Sequence, residues 1–280
     1  MTTTAVLAKT LSHIGHVRDE NQDATRTFVP DDPLIGESHG CLLAIADGMG
    51  GYAKGGVASA TAIETFFDAF YRDQPGSRRH RPQDGLRRAV EQANLAVHQA
   101  GFRLNAGQMG TTLTAANIAG DRLYLAHVGD TRAYLVRDGQ ARCLTNDHSV
   151  VGELVRMRVI SPDKVRTHQQ RSVLNRTLGL NLFVQPDISH VALQAGDVII
   201  LCSDGLWAYV EDDEFAGLAT HAPDADELSQ RLIDLALQRQ TDDNASVVVA
   251  RVERLGGPVP APQASSSPWR RLASVLDWLF

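Results

Sequence analysis

The sequence of residues 41–51, CLLAIADGMGG, decides the fold of this chain. Its first six residues form an apolar, strand-like run that ends in a carboxylate, Asp47, followed by glycines. An unpaired carboxylate at the end of a buried strand costs several kcal/mol, so such a residue needs cations nearby. Two further apolar runs lead in the same way to Asp130 and Asp204. This repeated delivery of aspartate predicts one shared, cation-dependent site.

Composition sets the broad class of the protein. The 280 residues suffice for one large domain or two small ones with a sizeable core. A formal net charge of -6 argues against a nucleic-acid-binding protein, whose affinity depends on phosphate contacts. Three isolated cysteines, without metal-ligand spacing, are typical of buried thiols in a reducing compartment. Because there is no signal-peptide pattern and no apolar run of about 18 residues, we expect a cytoplasmic protein.

The order of the predicted helices and strands indicates an α+β fold. Runs rich in Val, Ile, Leu and Thr predict strands at about 5–14, 40–46, 110–119, 121–129, 131–137, 140–144, 184–193, 197–203 and 244–253. Helical periodicity covers about 53–73, 84–104 and 224–239. Hairpin signals such as Asp138-Gly139 join the strands, which do not alternate with helices. This order predicts two packed, mostly antiparallel β-sheets flanked by helices, an α-β-β-α sandwich.

The chain divides into a main domain and a tail. We assign residues 1–254 to the domain, with residues 148–182, basic and mixed in character, as a small helical flap inserted between strands. Residues 255–268, rich in Pro, Gly and Ser, are interpreted as a linker. Residues 269–280 have helical apolar spacing and are interpreted as an amphipathic helix. The apolar face of this helix could be covered by its own domain, a second subunit, a partner protein or a membrane surface.

Six short motifs follow one another along the chain. They are His16-Val17-Arg18-Asp19-Glu20-Asn21-Gln22-Asp23, Asp47-Gly48-Met49-Gly50-Gly51, Gly110-Thr111-Thr112, Val128-Gly129-Asp130-Thr131-Arg132, Ser203-Asp204-Gly205-Leu206-Trp207 and Asp242-Asp243-Asn244-Ala245-Ser246. An Asp-Gly pair alone is usually a turn. In this order and wording, the set resembles the motifs of the metal-dependent protein phosphatases, the type-2C serine/threonine phosphatases, in their bacterial form. The resemblance covers about residues 8–252.

The residue types support a metal site independently of the resemblance. Carboxylate, carbonyl and water ligands without His or Cys suit hard cations such as Mg²⁺ or Mn²⁺. Clustered carboxylates raise one another's pKa values unless cations neutralise them. Two ions about 3.5–4 Å apart can share a bridging water and lower its pKa towards neutrality. The resulting hydroxide can attack a phosphate ester without a Ser or Cys nucleophile.

The resemblance implies a ligand set for two Mn²⁺ or Mg²⁺ ions. Asp47 would bridge both ions, and the carbonyl of Gly48 would bind one of them. Asp204 and Asp243 would complete the shell of the other ion. Asp23 would hold metal-bound water from outside the shell. Asp47 and Asp204 would therefore be essential for catalysis.

The resemblance also implies roles beyond the two ions. Asp130 would contribute to a third, weaker metal position, Arg18 would bind the substrate phosphate, and Asn244 would support the local geometry. Two departures from the family pattern stand out. Met49 occupies the place where many animal members carry a His proposed as general acid, so a metal-bound water or another residue would protonate the leaving oxygen. Arg158 lies in the flap where a Gly is expected.

Several polar residues near these motifs receive a structural interpretation. Asn146 or Asp147 is expected to be the N-cap of the helix that follows, and His148 is a weaker candidate for acid–base chemistry. His127 lies in an apolar strand and is interpreted as a satisfied core residue. Thr111 and its neighbour are expected beside the metal site without a chemical role.

The leading functional prediction is a serine/threonine protein phosphatase that hydrolyses phosphoserine and phosphothreonine with a hydroxide bridging two Mg²⁺ or Mn²⁺ ions. It would oppose a bacterial serine/threonine kinase. Its expected partners are phosphoproteins, including such a kinase, with no nucleic acid, and a monomer is expected. Two alternatives stay open: a non-catalytic pseudophosphatase, and a hydrolase of small phosphoesters. The basic flap favours a protein substrate over a small one.

Overall fold

A computed structural model of the chain describes residues 4–50, 54–72, 81–104 and 109–257. The strands are β1 Ala5–His13, β2 Asp23–Phe28, β3 Cys41–Met49, β4 Gly110–Thr111, β5 Leu113–Ala119, β6 Arg122–Val128, β7 Arg132–Arg137, β8 Gln140–Cys143, β9 Asp187–Ala192, β10 Val198–Cys202 and β11 Ala245–Arg254. The helices are α1 Pro33–Ser38, α2 Lys54–Arg72, α3 Pro82–Arg103, α4 Val150–Arg156, α5 Asp204–Trp207, α6 Asp212–His221 and α7 Ala225–Gln238. The predicted helix at 269–280 and all but the first three residues of the predicted linker lie outside the described residues.

Two antiparallel sheets form the centre of the molecule. One has the strand order β1-β11-β10-β7-β8, and the other has the order β2-β3-β5-β6-β9 with β4 paired to β3. Alternate residues of β11 face opposite sides of its sheet, as a period of two requires. Val247 and Val249 pack towards the helices, whereas Val248 and Ala250 pack towards the other sheet. The predicted α+β fold with two packed antiparallel sheets is confirmed.

Helices cover the outer face of each sheet. Helices α2 and α3 bury Phe66 and Val90 against the sheet that contains β3. Helices α5, α6 and α7 bury Trp207, Phe215 and Leu232 against the other sheet. These faces arise from apolar residues at helical spacing, which form one stripe on each helix. No helix among the described residues has the length and apolar character needed to cross a bilayer.

The structure differs from the sequence prediction at several elements. Strand β2 was not predicted because its sequence, DATRTF, is polar and it lies half-exposed at a sheet edge. The predicted strand at 110–119 is interrupted at Thr112, whose side chain and backbone bond to β3 instead. The short helices α1, α5 and α6 were also missed, because helices of this length show little periodicity.

The flap, residues 148–182, lies between β8 and β9 and contains α4 and a 3₁₀ turn at Pro162–Lys164. The predicted N-cap of α4 is wrong. Ser149 caps this helix, since its Oγ accepts a hydrogen bond from the amide of Gly152 at 3.0 Å. Asp147 instead accepts two hydrogen bonds from the guanidinium of Arg132, at 3.0 and 2.7 Å. Asp147, a predicted N-cap of α4, is therefore paired with the buried Arg132 instead.

Candidate active site

Strand ends from both sheets bring the predicted aspartates together. In one sheet, Asp23 at the start of β2 pairs directly with Asp47 near the end of β3. In the other sheet, Asp204 follows β10 and Asp243 precedes β11, and these two strands are antiparallel neighbours. Asp130 occupies the turn between β6 and β7, which lie in different sheets. The sandwich therefore places five carboxylates from distant parts of the chain at one edge.

These residues surround a cleft of about 1040 Å³. Its walls include six of the predicted site residues, Arg18, Asp47, Gly48, Asp130, Asp204 and Asp243, together with Asn244. Asp23 lies behind this lining, where its Oδ2 accepts a hydrogen bond from Ser203 Oγ at 2.8 Å. Every residue of the predicted site thus lies in or directly behind one cleft.

The carboxylates of the cleft carry too little compensating charge to be stable in ionised form. Removal from water raises the pKa of Asp23 to about 7 and that of Asp204 to about 6, with further upward contributions from neighbouring aspartates. Burial and the surrounding carboxylates also raise the pKa values of Asp47 and Asp130 well above their ordinary range. One buried oxygen each of Asp23 and Asp204 has no hydrogen-bond partner. Hard cations would satisfy both deficiencies, so the donor set fits Mg²⁺ or Mn²⁺.

The shell formed by side chains is incomplete. Among the residues that the structure describes, no three carboxylate, imidazole or thiolate groups are gathered closely enough to hold one ion by themselves. One reason is that Asp243 is engaged elsewhere: its Oδ2 accepts from Arg18 and its Oδ1 from the amide of Asn244. Backbone carbonyl and water ligands would have to complete the shell, which is usual for Mg²⁺.

The backbone around Asp47 is fixed by two threonines. Thr112 Oγ1 accepts from the amide of Asp47 at 2.8 Å, and Thr112 N and Thr111 Oγ1 donate to the Asp47 carbonyl at 2.9 and 2.8 Å. Glycine is required next to this point, because a Cβ on Gly48 would lie 2.0 Å from the carbonyl oxygen of Gly55. The sequence interpretation missed this positioning role of Thr111 and Thr112, although their place in the motif series was a signal for it.

Arg18 stands at the wall of the cleft, as predicted. Its Nη2 lies 2.7 Å from Asp243 Oδ2, and its side chain is 55% exposed. The hydrogen bond to Asp243 raises the pKa of the guanidinium, although the partial burial of Arg18 acts in the opposite direction. The side chain is thus both beside the metal-ligating candidates and accessible from the cleft, which are the two requirements for a phosphate-binding arginine.

Asn244 connects the loop that carries Arg18 to strand β11. Its Nδ2 donates to the carbonyls of Ile14 and Glu20 at 2.8 and 3.0 Å, and its Oδ1 accepts from the amide of Gln22 at 2.8 Å. Three hydrogen bonds from one amide hold both ends of the loop between β1 and β2. These are the contacts through which the predicted supporting role of Asn244 would act.

The flap borders the cleft through Ser172 and Leu174. Three of its five arginines form ion pairs with acidic residues outside the flap. Arg166 has a side chain only 14% exposed and pairs with Glu211 and Asp212. The other ion pairs join Arg171 to Asp242 and Arg176 to Asp187. Of the five flap arginines, all of which the structure describes, Arg156 and Arg158 form no ion pair.

Comparison with known proteins identifies the family. A sequence profile described as Protein phosphatase 2C matches residues 16–245. The chain belongs to the protein phosphatase 2C family. Among its relatives, serine/threonine protein phosphatase PstP of Mycobacterium tuberculosis is 41% identical over 211 residues, which are 75% of this chain and 40% of PstP. The chain thus spans well under two thirds of that relative. Serine/threonine phosphatase stp of Listeria monocytogenes is 32% identical over 86% of this chain and 92% of its own length.

Solved structures give the same result for this phosphatase family member. Serine/threonine phosphatase Stp1 of Staphylococcus aureus aligns with a TM-score of 0.81 at 29% identity, covering 90% of this chain and 97% of Stp1. The catalytic domain of PstP in complex with two manganese ions aligns with a TM-score of 0.76 at 35% identity, covering 90% of this chain and all of that domain. The family resemblance inferred from the motifs is confirmed.

Proposed function

We propose that this chain is a metal-dependent protein-serine/threonine phosphatase that hydrolyses phosphoserine and phosphothreonine with two Mn²⁺ or Mg²⁺ ions. One observation carries the proposal: aspartates from the ends of strands in both sheets converge on one cleft, where buried oxygens of Asp23 and Asp204 lack partners. The PstP catalytic domain, similar in fold to this chain, is described as a complex with two manganese ions. None of the predicted ligands is missing, which argues against a pseudophosphatase.

The site residues divide the work as follows. Asp47, Asp204, Asp243 and the Gly48 carbonyl would hold the two ions, with Asp130 at a third and weaker position. When bound, such ions lower the pKa of water and neutralise charge on the phosphate. Thr111 and Thr112 form hydrogen bonds to the Asp47 backbone and would thereby keep its carboxylate in the cleft. A rigidly held Asp47 would matter because small displacements of reacting groups cost large factors in rate.

Arg18 would bind the phosphate of the substrate. In the structure its guanidinium neutralises Asp243 at 2.7 Å. With Asp243 engaged by a bound cation instead, the planar fork of Arg18 would be available for two phosphate oxygens. Met49 lines the same cleft and has no proton to donate, so the leaving oxygen of the serine or threonine must take its proton from another source.

The experiment is phosphate release from a phosphothreonine peptide with Mn²⁺, with and without excess chelator, on the full chain. Turnover that depends on Mn²⁺ and is lost in Asp47→Asn supports the proposal. Turnover that persists in chelator would overturn it. The ratio of kcat/KM for the phosphopeptide to that for a small aryl phosphate separates a protein phosphatase from a hydrolase of small phosphoesters.

We further propose a cytoplasmic monomer that acts on phosphoproteins, including a serine/threonine kinase that it opposes. The free cysteines Cys41, Cys143 and Cys202 support a reducing compartment. Co-expression with a candidate kinase, followed by counting of phosphosites with and without the phosphatase, tests the partner. Light scattering of the purified chain over a concentration series tests the monomer.

We also propose that residues 1–254 are the catalytic domain and that the linker at 255–268 and the helix at 269–280 are dispensable for chemistry. Strand β11 ends at Arg254, and every predicted site residue precedes it. The tail would bind a partner or a membrane surface. Truncation after Leu255 should keep metal-dependent turnover of a small aryl phosphate while changing association or localisation. A folded but inactive truncation would place the tail in the active site.

A further inference from the structure

His148 makes two hydrogen bonds to the turn that carries Asp130. Its Nδ1 accepts from the amide of Gly129 at 3.1 Å, and its own amide donates to the Gly129 carbonyl at 2.7 Å. The imidazole is 2% exposed. Gly129 has a φ of +112°, and a Cβ there would lie 2.5 Å from Thr112, so this turn has little freedom to rearrange. His148 thus hydrogen-bonds both the amide and the carbonyl of Gly129, the residue before Asp130.

His148 is the first residue of the flap, and its segment pairs with the part of the flap that borders the cleft. The amide of Asn175 donates to the His148 carbonyl at 2.8 Å, and the amide of Val150 donates to the Val173 carbonyl at 2.9 Å. Between these two bonds, Ser149 and Leu174 form an isolated antiparallel bridge. Leu174 also lines the cleft. A three-residue ladder therefore joins the His148 segment to the part of the flap that faces the substrate.

The side chain of Asp187 selects one tautomer of His148. Because Nδ1 accepts from a backbone amide, the proton of the neutral ring must lie on Nε2. There it donates to Asp187 Oδ2, 3.2 Å away. Arg176 Nη1 of the flap lies 3.1 Å from the same ring nitrogen and donates to Asp187 Oδ1 at 2.7 Å. Burial lowers the pKa of His148, which is consistent with a neutral ring. The chain Arg176–Asp187–His148–Gly129 thus links a flap cation to the Asp130 turn.

We propose that His148 is a positioning residue that sets the cation affinity at Asp130 and couples it to the position of the flap. The inference rests on the proposed function, because it assumes that Asp130 holds a cation. Flap displacement would act through the ladder at residues 148–150 and through Asp187. The histidine itself touches neither substrate nor cation.

Two substitutions separate the two ends of the imidazole. His148→Asn keeps an acceptor oxygen near the place of Nδ1 and loses the bond to Asp187. His148→Gln keeps a donor near the place of Nε2 and loses the acceptor for Gly129. Mn²⁺ binding to the full chain is measured by calorimetry, with bound Mn²⁺ counted by electron paramagnetic resonance. We expect His148→Gln to weaken the weakest Mn²⁺ site by about tenfold, whereas His148→Asn stays within about twofold of wild type.

Asp130→Asn provides the reference for loss of this site, and the tighter sites should be unaffected in both His148 variants. His190→Gln is the matched control, because His190 is an exposed histidine that stacks on Tyr124 away from the cleft. Equal Mn²⁺ binding by the Gln and Asn variants, whether both weakened or both normal, would overturn the inference. Wild-type chain that binds Mn²⁺ with this dependence on residue 148 but releases no phosphate would instead overturn the proposed function alone.

A second variant covers the case in which His148→Gln does not fold. Asp187→Ala removes a side chain that is 46% exposed, so the fold should persist. In the Mg²⁺-loaded full chain, nitrogen chemical shifts of the His148 ring should then show a mixture of tautomers. Hydrogen exchange at the Gly129 amide should quicken by about tenfold, the loss expected for one hydrogen bond near 1.4 kcal/mol. An unchanged ring tautomer together with unchanged exchange would contradict the coupling.

Discussion

The cleft and the flap handle charge in opposite ways. In the cleft, carboxylates at Asp23, Asp47 and Asp204 lie together without enough cationic partners, and their pKa values are raised. In the flap, Arg166 and Arg176 each face an acidic partner from another element. In the cleft, hydrogen bonds between strands oppose the repulsion between carboxylates. In the flap, ion pairs to other elements contribute to its attachment. Cations should therefore change the stability of the cleft more than that of the flap.

The largest effect should come from removing one carboxylate of the cleft. Asp47→Asn is expected to lower kcat by about 10²–10³-fold, because it weakens charge stabilisation at the reacting centre. Steady-state turnover of a small aryl phosphate in Mn²⁺ measures this. The matched control is Asp242→Asn, since Asp242 lines the same cleft but is half-exposed and pairs with Arg171. Similar losses in both variants would show that the cleft is sensitive to any change of charge.

Removal of metal should make the stability of the protein depend on pH. The folded-state pKa of Asp23 is about 7 and that of Asp204 about 6, against an ordinary value of 3.8. Between these values the folded protein binds more protons than the unfolded one, so the free energy of unfolding falls as pH rises from about 4 to 7. We expect a decrease of more than about 1 kcal/mol in chelator, and a stabilisation by Mn²⁺ that grows over the same range.

Urea unfolding at several pH values, with and without Mn²⁺, tests this expectation. His127 and His148 act in the opposite direction, because burial lowers their pKa values and favours their neutral forms. The decisive quantity is therefore the difference between wild type and Asp23→Asn in chelator. That difference should shrink towards acidic pH. A difference that is constant from pH 4 to 8 would mean that Asp23 is not protonated in the folded state.

The comparison also shows what sequence can predict. Apolar runs that end in Asp47 and Asp204 predicted both the sheets and the site, because a strand fixes where its last residue points. Strand β2 was missed, yet the structure places Asp23, which was assigned to the site through its motif, directly behind the cleft. The roles of the flap arginines could not be predicted, because their partners Glu211, Asp187 and Asp242 come from other elements. The same holds for His148, whose partners Gly129 and Asn175 are brought to it only by the fold.

A smaller effect is expected for Arg18, which lies at the wall of the cleft. Arg18→Ala should raise KM for a phosphopeptide by about tenfold, the loss expected for one charge-assisted contact near 1.5 kcal/mol. The change in kcat should be smaller, because Asp47 and Asp204 remain in place. Arg18→Lys is the control: it keeps the charge but not the planar fork, so it should recover only part of the affinity. Unchanged KM in the alanine variant would remove Arg18 from the phosphate site.

The flap itself should affect substrate choice more than chemistry. Arg171→Gln should lower kcat/KM for a phosphoprotein by about threefold, a typical loss for an exposed ion contact, while sparing a small aryl phosphate. Arg166→Gln is the contrast, because Arg166 also donates to the carbonyls of Trp207 and Val210 and so anchors the flap. It should speed proteolysis within residues 148–182. If Arg171→Gln slows both substrates equally, the flap belongs to the chemical step.

The last effect concerns stability alone and falls on Arg158, where the family resemblance led us to expect glycine. The structure gives this arginine a φ of +58°, the left-handed conformation that glycine adopts without strain. It follows the end of α4, where the amides of Arg158 and Val159 donate to the carbonyls of Val155 and Leu154, both at 2.9 Å. This is the hydrogen-bond pattern in which helices commonly end at a glycine. The backbone thus keeps the expected turn although the side chain has changed.

Arg158→Gly should therefore stabilise the protein by up to about 1 kcal/mol, because the left-handed penalty of an L-residue disappears. The larger freedom of glycine in the unfolded chain offsets part of this gain. Arg156→Gly, two residues earlier and within the helix, is the matched control and should destabilise by about 1 kcal/mol. Both variants remove one exposed flap cation, so their opposite signs in urea unfolding would isolate the backbone from the charge. Loss of stability in both would mean that the Arg158 side chain contributes more than its strained conformation costs.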